Sequence, residues 1–171
     1  IDKSIGLIKN YGSYLFGGVN LIPNVLTKGR GSFVWDVDGN KILDLNAGQF
    51  CSVFGHSWPG LLDIVSKQIK KICHTNTAVI TKEVLFAARD VSNICTNMKG
   101  KVIFLSTGSE AVECALRFVK SIKQKNGLIC FNNGYHGLTL GSQSVTFGGK
   151  WAVPIVENVY SVSPPNGEIT A

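Results

Sequence analysis

The stretch from Lys101 to Phe131 constrains the fold more than any other part of the chain. Lys101-Val-Ile-Phe-Leu105 is a continuous apolar run of strand length, and Leu128-Ile-Cys-Phe131 is a second. Between them Val112, Ala115, Leu116, Val119 and Ile122 recur at helical spacing, with Glu113 and Arg117 one turn apart on the outer face. Strands that are apolar at successive residues belong to sheets covered on both faces, so the pattern predicts a βαβ unit in a parallel sheet. Asn126-Gly127 is the expected helix end.

Two junctions of this unit carry chemistry. The first run empties into Ser106-Thr-Gly-Ser-Glu-Ala111. A strand end followed by hydroxyls, a glycine and a helix start offers free N–H groups and a positive dipole end, which suit a phosphate. Gly108 allows close approach, and Ser109 is expected to cap the helix and to donate a hydroxyl. An ordinary capped βα turn has the same appearance, so both readings stand open here. The second run is followed by Asn133-Gly-Tyr-His-Gly137. Tyr135 there is either a plate for a planar ring or a tyrosine packed under a loop, with His136 a hydrogen-bond donor beside it. Ligands of α/β sheets bind at the carboxyl ends of the strands, where both junctions lie. Together they imply a phosphorylated, planar aromatic cofactor. Neither G-x-G-x-x-G nor G-x-x-x-x-G-K-[ST] occurs, which removes the usual anchor for a nucleotide.

Upstream, Phe33-Val-Trp-Asp-Val and Lys41-Ile-Leu-Asp-Leu flank the tight-turn signal Asp38-Gly39-Asn40, so residues 25–45 are expected to form a β-meander. Residues 46–59, ending in Gly55-His56-Ser-Trp-Pro59, are expected to be a loop. Leu61, Leu62, Val65, Ile69 and Ile72 predict one helix, and Val84, Leu85, Ala88, Val91 and Ile94 a second that starts at Thr81. After Gly137 a short helix or loop leads through Gly148-Gly149 to a last strand, Asn158-Val-Tyr-Ser-Val162. A parallel sheet of about three strands is too small to stand alone, so the expectation is the opening of a larger protein, with its first residues trimmed.

With 44% apolar residues among 171, the chain can bury a real core. No apolar run approaches the ~20 residues of a spanning helix, and no secretory signal pattern opens the chain. The net charge of +6 comes from scattered residues apart from Lys67–Lys71 and Lys120–Lys125, which read as solvated helix faces. No aromatic-interleaved basic motif points to nucleic acid. Cys51, Cys73, Cys95, Cys114 and Cys130 are odd in number and set in apolar surroundings, which favours buried, reduced thiols and a cytoplasmic setting. Cys51, His56, Cys73 and His74 lack the spacing of a zinc site, and no metal is expected.

Three segments in order, Ser106–Arg117, Tyr135-His-Gly137 and Asp36–Pro59, resemble the class III aminotransferases over about residues 25–165. That resemblance implies the type I fold of pyridoxal 5′-phosphate (PLP) enzymes: a β-meander leading into a mostly parallel, helix-flanked α/β sheet. Residues 1–60 would be a small-domain segment and 61–171 the start of the cofactor domain. It implies that Thr107, Gly108 and Ser109 hold the PLP phosphate, that Tyr135 stacks on the ring and that His136 sits beside it. An amino donor and a keto-acid acceptor would be the substrates, and a homodimer sharing its active sites the assembly. Gly48-Gln49 and Gly31-Ser-Phe-Val34 are similar to the 2,2-dialkylglycine decarboxylase branch. There Gln49 would contact the substrate carboxylate and Phe50 would line the pocket; a loop-stabilising amide is the other reading of Gln49. Ornithine- and γ-aminobutyrate-type members carry Arg where Leu138 stands, so a distal carboxylate gripped from that position is not expected. The family's cofactor-linking Lys and its ring-nitrogen Asp fall beyond the matched segments, and no catalytic residue is assigned. The chain alone is therefore expected to be inactive, and a non-catalytic fragment or scaffold is the alternative to an enzyme portion. An unrelated nucleotide-binding α/β domain is a further alternative.

Overall fold

The computed structural model describes residues 2–15, 22–76, 78–97, 99–146 and 156–165. The chain divides into two compact units, Ile1–Ile80 and Thr81–Ala171.

In the first unit, helix α1 (Asp2–Tyr11) precedes a three-stranded antiparallel sheet of β1 (Leu26–Arg30), β2 (Phe33–Asp36) and β3 (Lys41–Leu43), in that order. This is the expected meander. Gly39 turns β2 into β3 at φ +87°, a value that favours glycine. The turn is held by Asp36, which is almost fully buried. Its carboxylate accepts from Asp38 N at 3.0 Å, Asn40 N at 2.8 Å, Asn40 Nδ2 at 2.9 Å and Asn24 Nδ2 at 3.0 Å. A buried carboxylate with four N–H donors is satisfied, and the hydrogen bonds, that of the Asn40 side chain foremost, hold its pKa below the ordinary value. Asp38 in turn accepts from Lys3 N and Ser4 N at the start of α1, joining helix and sheet. A short turn, α2 (Ala47–Phe50), and helix α3 (Pro59–Ile69) follow. Pro59 opens α3 at a position where its missing N–H costs nothing.

In the second unit, α4 (Lys82–Thr96) starts on Thr81, whose hydroxyl accepts from Val84 N as expected. Helix α5 (Gly108–Lys123) leads to β4 (Leu128–Phe131), a short helix α6 (Leu140–Ser144) and β5 (Val159–Val162). β4 and β5 pair in parallel, Leu128 opposite Val159 and Phe131 opposite Val162. Leu128, Cys130 and Val145 form the buried cluster, with Val112, Leu116 and Val159 packed against it.

Four expectations are corrected. Lys101–Leu105 is not a strand: among the described residues no neighbour supplies its ladder, and an apolar run without one has no reason to be a strand. The α5 stripe is only partly used: Val112 and Leu116 pack, whereas Val119 and Ile122 are 52% and 72% exposed. The helix ends earlier than Asn126-Gly127, at Gln124 in the left-handed conformation with φ +51°. All five cysteines are free, but burial holds only for Cys130, whose thiol pKa it raises; Cys114 is half-buried and Cys51, Cys73 and Cys95 are exposed. Gly148-Gly149 lies outside the described residues. No helix among the described residues is long and apolar enough to cross a membrane.

Candidate cofactor site

The N-terminus of α5 is built by a reciprocal cap. Thr107 Oγ1 accepts from Glu110 N at 3.2 Å, and Glu110 Oε2 accepts from Ser106 N at 2.9 Å and Thr107 N at 3.1 Å. The cap is therefore Thr107, not Ser109 as expected; a side chain bonds an N–H two or three positions on, and Thr107 stands at that distance from Glu110. Of the first four amides of the helix, the box uses those of Thr107 and Glu110. Those of Gly108 and Ser109 have no acceptor among the described residues. The space around Gly108 is open, since a Cβ there would meet nothing within 4 Å. Two adjacent, unspent N–H groups at the positive end of a 16-residue helix, with hydroxyls on either side, are the donor set a phosphate needs.

Ser109 has a different task. Its Oγ accepts from Leu138 N at 3.3 Å, which ties the helix start to the Tyr135-His136-Gly137 loop. The contact is close enough to dictate the residue at 137. Gly137 is buried at φ +133°, and a Cβ on it would run into Ser109 Oγ and lie 2.6 Å from Ser142 Oγ. The two junctions singled out in the sequence are thus brought together. Tyr135 is 66% exposed, so among the described residues it is not packed under a loop. His136 is held through its backbone, which donates to Thr146 Oγ1 at 3.0 Å.

Beneath this loop lies a bed of buried hydroxyls. Ser142 Oγ accepts from Thr139 N at 3.0 Å, and Thr146 Oγ1 donates to Ser142 O at 2.9 Å and Gly137 O at 3.2 Å. Glu113 reaches the same segment. It accepts from Gly141 N at 2.6 Å and Ser142 N at 3.2 Å, so it does not sit on the outer face as expected. The Thr139 hydroxyl foremost, then these amides and the Arg117 charge, hold its carboxyl below the ordinary value. Ser142, Thr146 and Glu113 were missed as site residues. For Ser142 and Thr146 the available signal was the run of hydroxyls at Thr139, Ser142, Ser144 and Thr146, side chains that readily bond nearby backbone.

Gln49 and Phe50 lie in the first unit, in a turn where Ala47, Gly48, Gln49 and Phe50 all have φ between +51° and +66°. Such a left-handed run costs energy at each non-glycine residue. Asp44 and Asn46 hold it: Asp44 Oδ1 accepts from Asn46 N and Ala47 N at 2.9 Å, and Asn46 Oδ1 accepts from Gln49 N at 2.5 Å. His56 Nε2 lies 2.7 Å from Asp44 Oδ2 and is the main cause of the lowered Asp44 pKa. The loop-stabilising amide is therefore that of Asn46. The Gln49 side chain is exposed and makes no hydrogen bond among the described residues, and Phe50 is exposed.

The family model for class-III aminotransferases matches residues 17–165. The chain belongs to that family. An uncharacterized aminotransferase of Schizosaccharomyces pombe is 31% identical over 157 residues, 91% of this chain and 35% of the relative. The acetylornithine aminotransferase of Methanopyrus kandleri is 32% identical over 132 residues, 77% of this chain and 34% of the relative. This class-III aminotransferase chain spans about a third of the length of such relatives. The fold is shared with the taurine:2-oxoglutarate aminotransferase of Bifidobacterium kashiwanohense, solved with PLP and glutamate. There the TM-score is 0.83 at 19% identity, over 96% of this chain and 38% of the other. Family and fold agree with the expected cofactor, PLP. The relatives named here are aminotransferases, so the matches support transamination; they lend no support to the dialkylglycine decarboxylase branch.

Proposed function

We propose that this chain is the N-terminal portion of a PLP-dependent aminotransferase that moves an amino group from an amino acid or amine to a keto acid. The observation that carries the reading is the Ser109–Leu138 hydrogen bond, which makes one piece of the amides at Gly108 and the ring at Tyr135. The Gly108 and Ser109 amides bind the phosphate, with the Thr107 hydroxyl as a third donor. The Tyr135 ring covers one face of the cofactor and keeps water from it, and His136 stands beside the ring. Bound PLP supplies the electron sink that lets a bond at the amino-bearing carbon break. Gln49 takes the substrate carboxylate and Phe50 the apolar part of the substrate. Leu138 leaves no cation at the position where ornithine-type members carry Arg, so the donor is one without a distal carboxylate gripped there. Residues 1–60 act as the small-domain segment and 61–171 as the opening of the cofactor domain, in a homodimer whose subunits share the site, in the cytosol.

PLP titrated into the natural polypeptide that contains this chain should bind, and Tyr135→Ala should weaken binding about tenfold, the range of a stacked ring lost from a ligand. Far-UV circular dichroism should stay unchanged. Equal retention by Tyr135→Ala would remove the stacking role, and no binding by the unmutated polypeptide would sink the cofactor reading. Borohydride reduction and peptide mapping of the natural polypeptide locate the linked lysine; label within residues 1–171 would overturn the view that the linking machinery lies elsewhere. The decarboxylating alternative rests on the exposed, unbonded Gln49 amide, and release of CO₂ from a dialkylated amino acid is its test.

A further inference from the structure

Glu113 is no part of the phosphate cup, yet it makes the tightest link between α5 and the loop that carries Tyr135. Its Oε1 accepts from both Gly141 N and Ser142 N. Ser109 and Glu113 stand four residues apart, so they share one face of α5. The segment 138–142 runs along that face, with Leu138 on Ser109 and Gly141 and Ser142 on Glu113. A Cβ on Gly141 would lie 2.5 Å from Glu113 Oε2, so the carboxylate would have to shift to admit one. Onward, Ser142 accepts from Thr139 N, and its carbonyl accepts from Thr146, whose hydroxyl takes the His136 amide.

We propose that Glu113 is a positioning residue for the cofactor: by gripping the amides of Gly141 and Ser142 it sets the register of the Tyr135-His136-Gly137 loop against the phosphate-binding amides. This rests on the cofactor reading above. Ser109 alone is a single long bond about which the loop can pivot; Glu113 supplies the second point, one helical turn away, that fixes the loop's orientation. The phosphate and the ring plate are then held at a set separation by one helix. A ligand that needs both at once gains affinity from that fixed spacing, because less order has to be imposed on binding.

The test is a PLP titration of the natural polypeptide that contains this chain and of its Glu113→Ala, Glu113→Gln and Gly141→Ala variants. It is read by protein fluorescence for affinity and by the induced circular dichroism of the bound cofactor for ring setting. Glu113→Ala should weaken PLP binding about tenfold, the scale of losing charged hydrogen bonds, and at least halve the induced signal per bound cofactor. Glu113→Gln, which keeps an oxygen where Oε1 stands, should recover affinity to within about threefold of the parent. Gly141→Ala, which displaces the carboxylate while leaving it present, should reproduce the loss and serves if Glu113→Ala fails to fold. Parental affinity and signal in both Glu113→Ala and Gly141→Ala overturn the inference. So does a loss that merely tracks the unfolded fraction with no change in signal per bound cofactor. Failure of the unmutated polypeptide to bind PLP overturns the cofactor reading itself, and this inference with it.

Discussion

The turn that carries Gln49 and the loop that carries Tyr135 both expose their candidate side chains, yet they are held in opposite ways. Residues 47–50 are fixed from close by: Asp44 and Asn46, immediately upstream, accept the turn's own amides, and His56 steadies Asp44. Residues 135–139 have nearer partners in the hydroxyls of Ser142 and Thr146, but they are also fixed from far along the chain, by Ser109 on α5. A turn closed on itself keeps its shape wherever its unit sits. A loop braced by a helix is placed only as well as the helix, but it inherits the helix's position. The second arrangement suits a ligand gripped at its phosphate and at its ring.

Gly137→Ala is the most severe way to break the contrast. The new Cβ would collide with Ser109 Oγ at a φ unfavourable to any other residue, and a loss of about 3 kcal/mol is expected in urea unfolding. A loss under about 1 kcal/mol would show that the loop is not pressed against α5. Next comes Asp36→Ala in the meander, which strands the donors of Asn24, Asp38 and Asn40. The melting temperature should fall by roughly 5 °C, with PLP affinity untouched.

Acid should probe the first region more gently. Asp44 has its pKa lowered, chiefly by His56, so its contribution is complete above the unfolded value of about 3.9 and is lost as pH falls through the lower folded value. Melting followed down the acid limb should show the parent losing stability there and His56→Ala losing less; parallel curves would deny the pair its role. The smallest effect belongs to Gln49→Ala. Because its amide is unbonded among the described residues, unfolding free energy should move by less than about 0.5 kcal/mol. A larger drop would return the amide to a bracing role.

Much of this was legible beforehand wherever a feature depends on near neighbours. The meander follows from alternation around Asp38-Gly39, the α4 start from Thr81, and the α5 start from hydroxyls ahead of Glu110. Where spacing was matched but the partner was distant, the expectation failed. Glu113 and Arg117 have the separation of a surface pair, yet Glu113 turns to amides 28 and 29 residues away. Lys101–Leu105 has the composition of a strand and no ladder, since a strand exists only beside another.

The amino-acid sequence alone determined the meander and the helices, the family, and the residue types suited to a phosphate and a ring, because these rest on local periodicity and on motifs read in order. Only the tertiary structure decided which groups meet. It turned Glu113 onto the Gly141 and Ser142 amides, set Ser109 against Leu138 N, and laid the 138–142 segment along one face of α5. Such meetings depend on how separate segments pack, and no one-dimensional spacing encodes that.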